Sequence, residues 1–189
     1  MPLSLETDRL ILREWRDDDQ PEFARMNTDP RVMEFMARQL TPDESDAMVA
    51  RIRNSFVQHE FGFWAVEVKG GASFIGFVGL AVPRFEAAFM PCVEIGWRLA
   101  AEHWGRGYAT EAARCVLQRA FTDQGLPEIV SFTTESNLRS RRVMERLGMR
   151  RQSADDFDHP SLPANHPLKR HVLYRLHRDD WVANSPPTD

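Results

Sequence analysis

The sequence predicts one α+β domain (α and β mixed): a mixed, mostly antiparallel sheet of roughly six to seven strands with helices on both faces. Three observations point there. Stretches of β-rich or alternating residues (62–68, 73–82, 92–99, 168–176) interleave with stretches whose apolar residues recur every three or four positions (42–60, 108–121). Lys69-Gly70-Gly71 joins two of the strands and reads as a hairpin turn. The length, 189 residues, suits one domain with a sizeable core.

Taken in order, Leu10, Ile11 and Leu12 open the first strand, and the charged stretch 16–19 ends it. Asp17 is placed to cap a short helix to Asn27, which Asp29-Pro30 breaks. Residues 32–36 read as a short apolar turn of helix. Thr41-Pro42-Asp43-Glu44 is a capping box with proline at the first helical position. Its helix carries Met48, Ile52, Phe56 and Val57 on one face, to about Glu60. After the hairpin, 83–91 is a loop into strand 92–99, where Val93, Ile95, Trp97 and Leu99 share a face. The next helix buries Ala109, Ala112, Ala113, Val116, Leu117, Ala120 and Phe121. Gly125 and Pro127 mark a turn before strand 129–133, and a helix over 136–147 stops at Gly148. A strand starts over 149–153, and 155–167 is a long proline-broken loop. The last strand, 168–176, aligns Val172, Tyr174 and Leu176. The tail from Ala183 is expected to be disordered, leaving 1–182 as the folded domain and 183–189 as the tail.

Composition narrows the function classes. A formal net charge of −4 gives no basic footprint for non-specific nucleic-acid binding. No apolar run has the length of a membrane span, and the first residues lack the basic-then-apolar pattern of a secretory signal. Cys92 and Cys115 are too few for a disulfide framework and sit in apolar patterns, so buried free thiols in a reducing cytoplasm are expected. The six histidines show no metal-ligand spacing, and no metal is expected.

Residues 103–112, HWGRGYATEA, carry the most chemistry. Gly105 and Gly107 permit positive φ and a close approach to the backbone, and an amphipathic helix follows at once. A helix start has free N–H groups and a positive dipole end, so strand, glycine turn and helix together cradle a diphosphate. A P-loop would need Lys followed by Ser or Thr here, and neither is present. A Rossmann fingerprint would need a small third residue where Thr110 stands. The wording W-G-x-G-Y-A-T-E-A resembles the acyl-CoA turn of the Gcn5-related N-acetyltransferase (GNAT) superfamily, in the branch of the ribosomal-protein alanine and serine N-acetyltransferases. Trp104 departs from the usual first position of that motif. Two further segments are similar to that branch: Glu6-Thr7-Asp8-Arg9-Leu10-Ile11-Leu12-Arg13, and Asn137-Leu138-Arg139-Ser140 followed by Glu145, Leu147 and Gly148.

That resemblance implies a GNAT fold, acetyl-CoA as co-substrate, and a primary amine acceptor, either a protein N-terminus or a small molecule. It leaves a homodimer open. It places pantetheine against the backbone of Trp97, Arg98 and Leu99, and the diphosphate on the amides of Gly105, Arg106, Gly107, Tyr108, Ala109 and Thr110. Asn137 resembles the residue that holds pantetheine; on its residues alone it reads equally as a helix cap. Glu94 stands where a carboxylate relays the amine proton, and Ser140 where a hydroxyl can bond the sulfur. Many relatives use a tyrosine in the second helix as acid, but here the only tyrosines are Tyr108 and Tyr174. Asp155, Asp156 and Asp158 read as a solvated or dimer-contact loop or, alternatively, as charges that draw a cationic amine to the acceptor groove. The alternative function is an acyl-CoA-binding sensor or scaffold without turnover.

Overall fold

The computed structural model describes residues 4–184. They form two compact units, one of residues 4–81 and 95–116, the other of 82–94 and 117–184. In the first unit, β1 (Leu5–Glu6) pairs antiparallel with β2 (Leu10–Arg13), and β2 with β3 (Phe63–Val68) in the register Leu10↔Val68 to Arg13↔Ala65. β3 turns through Gly70 into β4 (Gly76–Ala81), and β4 neighbours β5 (Glu94–Leu99). Against these strands pack α1 (Asp19–Thr28), α2 (Pro30–Met33) and α3 (Pro42–His59), around a core of Trp15, Phe23, Met26, Val49, Ile52 and Phe77. Burying an aromatic or long aliphatic side chain is worth about 1.5–3 kcal/mol, so this core dominates the unit's stability. α4 (Tyr108–Thr122) starts here.

In the second unit, β6 (Glu128–Thr134) pairs along its whole length with β9 (Arg170–His177), antiparallel, and joins Glu94 at the start of β5 in parallel through Val130. Two short strands, β7 (Arg150–Arg151) and β8 (Phe157–Asp158), also pair antiparallel with β9. α5 (Leu138–Arg146) follows β6, and α6 (Arg178–Asn184) ends the described chain. The β5–β6 pair is parallel and the other pairings described are antiparallel, as the mixed, mostly antiparallel expectation requires. No helix among the described residues is long and apolar enough to cross a membrane.

Several local expectations needed correction. The N-cap position of α1 is Asp18, whose side chain makes no cap hydrogen bond, rather than Asp17, whose carboxylate meets Arg53 at 2.8 Å instead. Pro30 breaks α1 but also starts α2, because proline is favoured in a first turn. The capping box is present, with Thr41 accepting from Glu44 N and Glu44 from Thr41 N. Of the expected apolar face of α3, Ile52 is buried and Met48 and Phe56 pack against the core, joined by the buried Ser45 and Val49, while Val57 is 82% exposed. Both cysteines are free but only half-buried. β1 and β8 bring the strands among the described residues to nine; two residues are too few to show a period, so neither was foreseen. Asp179 and Asp180 in the first turn of α6 and the buried Trp181 carry the helix past the expected tail start at Ala183. The rest of that tail, 185–189, lies outside the described residues.

Candidate active site

Gly105 (φ 74°) and Gly107 (φ 81°) take the left-handed conformation that side chains resist, and a Cβ on Gly105 would meet nothing within 4 Å. Backbone conformation, not crowding, is what demands glycine there. Glu111 N is the first amide of α4 with a helical partner, donating to Gly107 O at 3.0 Å. The amides of Gly105, Arg106, Gly107, Tyr108, Ala109 and Thr110 have no hydrogen-bond partner among the described residues. Six free donors at a helix start suit the diphosphate of a coenzyme. Arg9, which the sequence reading did not single out, braces the turn. Its Nη1 donates to Arg106 O at 3.0 Å, its Nε to Glu111 at 2.7 Å, and its guanidinium lies 4.9 Å from the Tyr108 ring centroid. Thr7 Oγ1 adds a 2.6 Å bond to the same carboxylate.

On β5 the three expected pantetheine-binding residues differ. Leu99 O accepts the Trp104 indole N–H at 2.8 Å, so Trp104 pins the strand end to the turn. Trp97 is half-buried. The Arg98 side chain leaves the strand for Asn27. The cleft of about 340 Å³ in this unit is lined by Glu22, Arg25, Ala100 and His103 among others, and by none of the predicted site residues.

In the second unit, Glu94 is half-buried, and nothing among the described residues hydrogen-bonds or ion-pairs with its carboxylate. Protein around it replaces water, which disfavours the anion and raises its pKa to about 8. Because Glu94 pairs in parallel with Val130, it shares the face of Val130, Phe132 and Thr134. Thr133 points to the other face, where its Oγ1 accepts Asn137 Nδ2 at 2.9 Å. Asn137 also donates to Ser140 Oγ at 3.1 Å and caps α5 by accepting from Ser140 N at 3.2 Å. Asn137 and Ser140 are therefore brought together, and Glu94 lies on the opposite face of β6 from them. Tyr174 reaches α5 from β9: its hydroxyl donates to Glu145 at 3.0 Å and accepts from Arg141 Nε at 3.2 Å.

The aspartates of the 155–167 segment are not free charges. Asp155 pairs with Arg175 at 2.7 Å, Asp156 with Arg151 at 2.5 Å and Asp158 with Arg170 at 3.3 Å. Each of these carboxylates thus already has an arginine partner, the Asp158–Arg170 pair at the surface. The segment instead presents rings: Phe157 and His159 pack, mostly edge-on or tilted, against Phe85, Phe89, Phe132 and His171, at centroid distances such as 4.8 Å for Phe89–Phe157. Desolvation lowers the pKa of both histidines. No group of side chains that could hold a metal occurs among the described residues.

Comparison with known proteins converges on one family. The family model described as an acetyltransferase (GNAT) domain matches residues 9–150. The Bacillus subtilis protein YkkB is 31% identical over 146 residues, covering 77% of this chain and 84% of that one. The FsC-acetyl coenzyme A-N(2)-transacetylase of Aspergillus fumigatus is 29% identical over 192 residues, covering 98% and 80%. The crystal structure of an acetyltransferase from Agrobacterium tumefaciens superposes with a TM-score of 0.74 at 26% identity, over 94% and 95% of the two chains.

Proposed function

The chain belongs to the GNAT family and is an acyl-CoA-dependent N-acetyltransferase, and from that premise we propose that it moves an acetyl group from acetyl-CoA to a primary amine by direct attack on the thioester. The observation that carries this reading is the run of unpartnered amides from Gly105 to Thr110, which fits the coenzyme's diphosphate. Bound acetyl-CoA supplies the activated acetyl group. The backbone of Trp97, Arg98 and Leu99 binds its pantetheine arm, and Asn137 serves as a pantetheine-holding residue.

Glu94 takes the proton that the attacking nitrogen gives up as the C–N bond forms. A carboxyl with a pKa of about 8 holds that proton far better than an ordinary glutamate. Ser140 Oγ already accepts from Asn137, which leaves its own hydroxyl hydrogen to donate to the departing sulfur as the C–S bond breaks. The acceptor is a protein N-terminus or a small amine; the chain acts as a cytoplasmic acetyltransferase, with a homodimer as its open assembly.

The test is steady release of free thiol over a panel of primary amines and peptides, with the acetylated product identified by mass. Sustained release with at least one acceptor is expected. Tight acetyl-CoA binding with no thiol released across the panel would favour a non-catalytic acyl-CoA sensor instead.

A further inference from the structure

Strand β5 carries a cation that nothing around it balances. The half-buried Arg98 guanidinium donates through Nη1 to Asn27 Oδ1 at 2.7 Å, and its Nη2 faces Met36 Sδ at 3.2 Å. Its Cζ lies 5.5 Å from the centroid of the Phe77 ring. A neutral amide, a thioether and a phenyl ring surround it, and no carboxylate reaches it among the described residues. Desolvation is the cause that pulls its pKa down to about 10. Arg13, a buried arginine of this unit, shows the ordinary arrangement: both Nη atoms meet Asp19 at 2.8 Å, and Nε meets Glu67 at 2.8 Å. Enclosed cations are nearly always paired, because leaving water is costly without a counter-charge.

The surroundings hold Arg98 in place. Asn27 is fully buried, and its Nδ2 donates to Ser45 Oγ at 3.0 Å. Ser45 in turn donates to Thr41 O at 3.0 Å, directly beside the cap of α3. This relay fixes the amide so that Oδ1 faces the guanidinium. The remaining N–H groups of the fork stay available.

Resting on the acetyl-transfer reading above, we infer that Arg98 anchors a carboxylate of the acceptor, so that the substrate is an amine carrying a carboxylate elsewhere in the same molecule. The planar fork matches a carboxylate with two parallel hydrogen bonds. One guanidinium beside a ring and a thioether neutralises a single negative charge. A dianionic phosphate would be left with charge uncompensated in the same apolar setting. Acceptors lacking the carboxylate would leave the cation enclosed and unpaired, which is how a site of this kind discriminates.

The experiment uses product-like probes: N-acetylated ω-amino acids of increasing chain length, each beside its carboxamide, titrated against the full chain. Charge-assisted bonds should make at least one carboxylate bind about 10- to 100-fold more tightly than its carboxamide. Arg98→Met should erase that ratio, and Arg98→Lys should retain part of it. Equal binding of every pair by the wild type, absence of binding by both members throughout, or an undiminished ratio in Arg98→Met would overturn the anchor. If Arg98→Met does not fold, the wild-type ratio and Arg98→Lys decide. Thiol release measured with the corresponding free amines separates the two readings. Best turnover on amines without a carboxylate overturns the anchor and leaves acetyl transfer standing. Carboxylate-selective binding with no thiol release from any amine does the reverse.

Discussion

Glu94 sits where protein displaces water from its carboxyl group, and the pKa rises from an ordinary 4.5 to about 8. Between those two values the folded chain holds a proton that the unfolded chain has released. The stability linked to Glu94 is therefore full below about 4.5 and is lost as pH climbs towards about 8, by at most about 1.4 kcal/mol per pH unit. Glu94→Gln removes the titration, so its melting temperature should gain on the wild type between pH 5 and pH 8 and level off above. A constant offset across that range would contradict a raised pKa. The same variant should lose about 10²–10⁴-fold in turnover with acetyl-CoA affinity retained, and its deficit should shrink at high pH as the amine deprotonates unaided. Ser140→Ala should cost about tenfold in kcat, the worth of one ordinary hydrogen bond. A larger fall in acetyl-CoA affinity than in kcat would make Ser140 a binding group rather than a donor to sulfur.

Among the elements, α3 shows what a sequence can and cannot disclose. Its start was legible because capping is local: Thr41 and Glu44 bond each other's backbone three residues apart. Thr41→Ala should lower unfolding free energy by about 1 kcal/mol, read from the midpoint of a denaturant titration; no change would mean the cap is redundant. Its buried face was misread at Val57, since an apolar residue near a helix end satisfies a period without meeting a core. The glycine turn before α4 was legible for the same local reason, and its positive φ values followed. What supports that turn was not. Arg9 lies 97 positions from Arg106, whose carbonyl it holds, and Asn27 lies 71 positions from Arg98. Contacts at such separation leave no periodic trace in a single sequence. The pairing of Asp155, Asp156 and Asp158 with arginines was invisible for that reason too. Gly107→Val forces a β-branched residue to positive φ and puts its side chain among the free amides, so coenzyme binding should fall steeply in a chain that still folds.

For the molecule as a whole, most arginine–carboxylate pairs are partly exposed, such as Arg25–Glu22 and Arg31–Asp29. Pairs of that kind add little each and are screened by salt, so the apolar cores carry the stability. Against that background a ligand that binds only the folded chain should stand out. Acetyl-CoA at about 100 times its dissociation constant adds about 2.7 kcal/mol, a rise in melting temperature of roughly 5–10 °C for a chain of this size. The most direct measurement of whether residues 105–110 cradle acetyl-CoA is the melting temperature with acetyl-CoA or NAD at equal concentration, in the wild type and in Gly107→Val. A rise of that order with acetyl-CoA, little with NAD, and its disappearance in Gly107→Val is the predicted result. Equal stabilisation by NAD, or an undiminished acetyl-CoA shift in Gly107→Val, would contradict it.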